Sequence, residues 1–360
     1  MKKRSILMLV LLALTLTLTA CSPDGKEYLK AVDKVQSWEA IEQEGTIVIN
    51  MSMPNLDEIY GIEDEENAED IASSIPENYK ITMDIKGFTN NDVNNPTAKI
   101  NMNMKDESGL FNFNDIEMLM NKDTIYLSRN YVEAMLSIDP SVKIELPENI
   151  KYFTMDSGLD SEEYAQIMKM YANADFKGAM LEVFEALGLN VDVKKDNNTY
   201  TIELTSNQII DLAGNAFKNF TKNSNTVIDK IVKTGIVELS EEDIAMAKEA
   251  FSDFSEDELK EIDSIIAEVK PYVEGSKYKT VETFSDDKYD SKLDMTIAVK
   301  DYFTMDMTAN TKSKKATAKA ITFPKAEETK DYYEFIDEIT PDYYIVDIDL
   351  EAKTLTDYNT

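Results

Sequence analysis

Past residue 25 apolar residues first recur every three to four positions, and beyond residue 45 every two, so the pattern itself marks a helix leading into strands. Tyr28, Ala31, Val32, Val35, Trp38 and Ile41 fall on one face of a helix over residues 26 to 43, with the only tryptophan on its apolar side. From Gly45 onward Ile47, Ile49, Met51 and Met53 alternate with Val48, Asn50 and Ser52. Tyr79, Ile81, Met83 and Ile85 alternate with Lys80, Thr82, Asp84 and Lys86, and Ala98, Ile100, Met102 and Met104 with Lys99, Asn101, Asn103 and Lys105. Successive strand side chains point to opposite faces, so these segments are half-buried antiparallel strands with one apolar and one wet side. Segments 110 to 114, 116 to 120 and 124 to 128 extend the meander, with Asn121-Lys122-Asp123 as a hairpin turn. The acidic stretch from Leu56 to Glu77 reads as a long solvated loop.

A helical block then interrupts the strands. Asp160 and Glu163 have the spacing of a capping box ahead of Tyr164, Ile167, Met168 and Tyr171, and the series Phe176, Met180, Leu181, Phe184 and Leu187 stops at Gly188. A hairpin over residues 191 to 205 turns near Asp196-Asn197-Asn198, and helices are predicted at 206 to 222, 225 to 234 and 241 to 251. Ser255 and Glu258 cap one more, which ends before Pro271. Strands return at 277 to 284, 292 to 299, 302 to 311 and 316 to 323. Residues 326 to 360 are an acidic tail with Tyr332, Tyr333, Tyr343 and Tyr344, in which 344 to 350 could add an edge strand. Strand runs and helix runs are segregated, without βαβ alternation, so the fold class is α+β: an antiparallel sheet with a block of helices.

At the N-terminus Lys2, Lys3 and Arg4 precede an uncharged stretch from Ser5 to Ala20, the basic and apolar regions of a secretory signal and too short for a membrane span. Leu18-Thr19-Ala20-Cys21 resembles the lipobox of bacterial lipoproteins. The resemblance implies that residues 1 to 20 are removed and Cys21 becomes a lipidated N-terminus, with residues 21 to 25 as a tether. Two or three acyl chains make a stable anchor, and the expected location is the extracytoplasmic side of a cell membrane.

With that lipobox, the helix leading into the Gly45 strand and the Met118 to Leu127 hairpin, residues 26 to 325 resemble the LolA- and LppX-like lipoprotein domains. The resemblance implies a strongly curved antiparallel half-barrel cupping helices, with an apolar cavity between.

Composition removes most alternatives. The 360 residues include no histidine and one cysteine, so imidazole catalysis, histidine or thiolate metal sites and an internal disulfide are all absent. A formal charge of −32 repels nucleic acid and anionic headgroups, and with two arginines the chain has almost no bidentate anion recognition. Eleven scattered glycines form no phosphate-cradling loop, and nothing calls for a cofactor or a metal. Asp156, Asp160, Glu162 and Glu163 do not have calcium-loop spacing, and helix capping accounts for them.

Eighteen methionines are the unusual count. A methionine every second residue puts thioethers on one strand face, which suits either an adaptable solid core or the wall of a deformable apolar cavity. The candidate wall is Trp38, Ile49, Met51, Met53, Met83, Ile85, Ile100, Met102, Met104, Met118, Met120, Met295, Met305 and Met307. The expected protein is therefore a non-enzymatic, membrane-anchored lipoprotein that binds a lipid-like ligand. The alternative is a surface interaction module with a filled core, whose protein partner docks on the acidic face or the tyrosine-rich tail.

Overall fold

The computed structural model describes residues 23–54, 78–92, 95–107, 112–137, 144, 146–156, 182–234, 240–250 and 256–339. Helix α1 (Pro23–Gln36) leads into strands β1 (Ala40–Ser52), β2 (Asn78–Asn90), β3 (Thr97–Asp106), β4 (Asn112–Met120) and β5 (Thr124–Ser128). Helix α2 (Arg129–Leu136) precedes strands β6 (Tyr152–Asp156), β7 (Val193–Asp196) and β8 (Thr199–Thr205). Helices α3 (Ser206–Lys222), α4 (Ser224–Thr234), α5 (Glu241–Ala250) and α6 (Glu256–Val269) follow. Strands β9 (Lys277–Phe284), β10 (Lys288–Val299), β11 (Phe303–Ala316) and β12 (Thr329–Asp331) and helix α7 (Tyr332–Ile339) complete the described chain.

The described strands form one open 12-stranded sheet in the order β12-β6-β5-β4-β3-β2-β1-β11-β10-β9-β8-β7. With its helices this is the α+β class. β1 joins the two halves, because Ala40 opposes both Asn90 and Ala316, and Ser52 both Asn78 and Thr304. Gly45 lies inside that double ladder, where a Cβ would stand 2.8 Å from the Asn310 carbonyl oxygen, so only glycine lets β11 approach there.

Four expectations from the pattern change. The helix ends at Gln36 rather than 43, because the period of two already begins at Ala40 and ladders on both sides of β1 outweigh the helix propensity of Ala-Ile-Glu-Gln-Glu. The sheet is not wholly antiparallel, since β12 runs parallel to β6, with Thr329 opposite Tyr152. Residues 317–323 are no strand, because β1 has both neighbours filled; the chain instead crosses the polar face towards β12. On that path the Asn90 amide bonds both the Lys319 carbonyl (2.9 Å) and its N–H (3.1 Å), the Lys319 ammonium stands 4.0 Å from the Phe88 ring centroid, and Phe323 packs on Tyr126 at 5.4 Å. Helix α2, which the pattern left unassigned, buries Val132.

Other readings hold. The hairpin turns at Asn197 with a left-handed φ of 54°, and the helical residues 182–187 stop at Gly188 with a φ of 66°. Thr205 and Gln208 make a reciprocal capping box that starts α3. The signal and tether through Ser22, the 56–77 loop, the Asp160–Glu163 cap and the 344–350 segment lie outside the described residues.

Two aromatic cores stand at opposite sides of the sheet. The first joins Tyr28, Val35 and Trp38 to Val191, Val193, Tyr200, Ile202 and Phe284, clamping α1 over β7 to β9. Ion pairs fasten both ends of α1, Lys195 with Glu27 and Lys34 with Asp286 (2.5 Å), each solvent-exposed and worth little alone. The second core gathers Val132, Leu146, Ile150, Phe153 and Phe335 from α2, the segment before β6, β6 itself and α7. Residues 326–339, the first part of the acidic segment, are thus built into the sheet edge. Burying one such aromatic side chain is worth about 2–3 kcal/mol.

Candidate ligand-binding face

Directly opposed residues in antiparallel strands share a face, and the register brings most of the candidate wall together. One row runs Met295, Met307, Ile49 and Ile81; the next runs Ile297, Met305, Met51 and Tyr79. On the other side of the first row, Leu293, Ala309, Ile47, Met83 and Met104 line up, followed by Ile85 with Met102 and Ile116, and Ile100 with Met118. Met120 opposes Ala98 on the same face. Two candidates depart from this wall. Trp38 is 3% exposed and belongs to the first core, and Met53 follows the last residue of β1.

Exposure changes across this face. At its flanks Tyr200, Ile202 and Phe284 on one side, and Phe113, Ile116, Leu127 and Phe153 on the other, are buried. Between them every wall methionine, together with Ile49, Ile85 and Ile100, is half-buried. The apolar middle of the sheet is therefore less enclosed than either core, and unbranched methionine suits a surface whose contacts vary.

The sequence pattern missed a polar inset in this wall. Glu282 opposes Ser291, Ser291 opposes Thr311, and Thr311 opposes Gly45; in the next row Ser313 opposes Gln43, which opposes Gly87. One signal was available, a glutamate at an inward position of the alternating Tyr278-Thr280-Glu282-Phe284 run. Glu282 is 7% exposed and no lysine or arginine pairs with it in the described structure. Tyr28 Oη donates to its Oε2 at 3.1 Å, Thr280 Oγ1 to its Oε1 at 3.3 Å, and the Tyr289 hydroxyl also bonds it. Burial raises the Glu282 pKa above the ordinary carboxylate value, and the three hydroxyl bonds only partly offset that. Burial, with the adjacent acid, pushes the Tyr28 and Tyr289 hydroxyls upward as well, so both remain protonated donors.

A raised carboxyl pKa means that the folded state holds its proton more tightly than the unfolded one. Stability contributed by this group is full at acid pH and falls as pH rises through the folded-state value. Glu282→Gln keeps an acceptor oxygen and never ionises. Thermal melts are expected to coincide at about pH 4 and to separate by about 2–4 °C at pH 8, with the variant higher. A variant that melts lower at pH 8 would show that the carboxylate is the preferred state.

Among the described residues no helix is long and apolar enough to cross a membrane, and no group of three or more acidic or cysteine side chains is placed to hold a metal ion. No known protein family matches this chain, and no similar protein is found among the curated proteins or the solved structures.

Proposed function

We propose that this chain is a non-enzymatic, lipid-anchored extracytoplasmic lipoprotein, tethered through Cys21, whose sheet curves as a half-barrel and carries a hydrophobic, lipid-like ligand against its methionine face. One observation carries the reading: a continuous row system of methionine and isoleucine remains half-buried between two closed aromatic cores. An apolar surface of that kind lowers its free energy by taking up acyl chains, and mobile thioethers fit chains of varied shape. The lipobox Leu18-Thr19-Ala20-Cys21 supports the anchor and the cell-membrane location.

Native mass spectrometry of residues 22–360 purified from a bacterial host, followed by organic extraction, tests the ligand. A co-purifying lipid near one-to-one is expected. An apo mass that persists after incubation with a lipid extract would discard the carrier and favour a surface interaction module. Anchoring is tested separately in the full chain: Cys21→Ala is expected to abolish incorporation of labelled palmitate and release the protein from membranes.

A further inference from the structure

Apart from Asp106, which opposes Ile81 at the far end of its row, the polar groups that the described register places among the methionine rows cluster beside α1. There the rows end in Thr311 and Ser291, then Ser313 and Gln43, with Gly45 and Gly87 between them on the same face. Two glycines diagonal to each other on the adjacent strands β1 and β2 leave backbone uncovered and make a notch. Gly45 is required by the approach of β11, but Gly87 is not: a Cβ there would meet nothing closer than 3.7 Å. A strand position that has room for a side chain and lacks one marks a place where another group approaches the backbone.

The groups around the notch are hydroxyls and one amide. Ser313 is 7% exposed, Thr311 and Ser291 are half-buried, and Gln43 is exposed. None is a cation. Lys315, the next residue outward on that face of β11, is exposed and acts on Asp286, while Lys86, Lys312 and Lys314 occupy the opposite face by register. A phosphate or carboxylate would enter here without a counter-charge, in a protein of formal charge −32. The adjoining core holds an unfilled donor, because the Trp38 indole Nε1 is buried with no hydrogen-bond partner.

We propose that this notch seats the head of an amphiphile, and that the head is uncharged and hydroxyl-bearing, as in an acylglycerol, with the chains lying along the Met307 and Met102 rows away from α1. The inference rests on the reading of the methionine face as a ligand wall. Chain burial supplies most of the affinity, and the serine, threonine and glutamine groups select the head by replacing its hydrogen bonds to water.

Three probes offered to residues 22–360 separate the possibilities: the apolar fluorophore N-phenyl-1-naphthylamine, dioleoylglycerol and dioleoyl phosphatidylglycerol, the lipids as competitors for the fluorophore. Expected is fluorophore binding, with dioleoylglycerol displacing it at about tenfold lower concentration than the phosphatidylglycerol. Gly87→Val puts a side chain into the notch at a position where its Cβ meets only ordinary van der Waals contacts, and valine favours strands, so the melting temperature should hold or rise. It should erase the preference for dioleoylglycerol and leave fluorophore binding intact. Thr311→Val with Ser313→Ala should reduce that preference in the same direction. If the fluorophore does not bind, the wall reading itself fails. If it binds while the two lipids compete equally, the anionic lipid competes better, or Gly87→Val leaves the preference unchanged, the neutral-head site is overturned.

Discussion

Replacing Met102 and Met307 together by glutamate is expected to leave the protein folded and to lower its affinity for a hydrophobic probe by at least about tenfold. Met102 stands between Ile85 and Ile116, and Met307 between Ile49 and Met295, so the two substitutions break separate rows of the wall. Both positions are half-buried. A glutamate side chain there can lay its methylenes along the sheet and turn its carboxylate to water, as long charged side chains do at apolar borders. The stability cost should stay near 1–2 kcal/mol, a fall of a few degrees in a chain of this size. A ligand chain lying on the same surface has no such escape and would face an unpaired charge. Circular dichroism melts and probe fluorescence on the same samples read both quantities. Ile116→Glu is the internal comparison: at 1% exposure its carboxylate has no route to solvent, and it should unfold the protein or cost several kcal/mol. Should the methionine pair lose as much stability as Ile116→Glu, the face is solid core and the ligand reading falls.

The second large effect belongs to the core around α7. Phe153 has no exposed surface and its ring centroid lies 4.9 Å from that of Phe335. Phe153→Ala should cost about 3–5 kcal/mol, combining lost transfer energy with the cavity left behind. That is a large share of the 5–15 kcal/mol of a typical domain. The loss should also be local in its first consequence. Among the described strands β12 spans only Thr329–Asp331 and pairs only with β6, and α7 packs on the same core through Tyr332, Phe335, Ile336 and Ile339. Hydrogen exchange is expected to lose protection over residues 329–339 at denaturant concentrations that leave β1 protected, since β1 is bonded on both sides along 13 residues. Uniform loss across β1 and β12 would show one cooperative unit in place of an edge subunit.

Much of the wall was legible from alternation alone. Met51, Met83, Met102, Met104, Met118, Met120, Met295, Met305 and Met307 fall on one face because strand side chains alternate regardless of what the strand pairs with. Trp38 and Met53 lie outside the ladder rows for a local reason: helix and strand periods overlap at element ends, and there the cross-strand ladder decides the boundary. The polar notch was not legible. Gln43 and Gly87 come from β1 and β2, while Ser291, Thr311 and Ser313 come from β10 and β11, and no local pattern joins residues more than 200 positions apart. Glu282 was legible only as an acid at an inward strand position, and its hydroxyl partner Tyr28 comes from α1, more than 200 positions away.

By itself, then, the sequence determined what depends on neighbours along the chain: the segregation of strands from helices, the apolar and polar faces of each strand, the stop at Gly188 and the hairpin turn near Asn197. Tertiary structure alone decided which strands stand side by side, because pairing is a competition between distant segments for a limited number of free edges. That competition placed β1 between β2 and β11, denied residues 317–323 a ladder, brought β12 alongside β6 in parallel and left the methionine rows half-open between two closed cores.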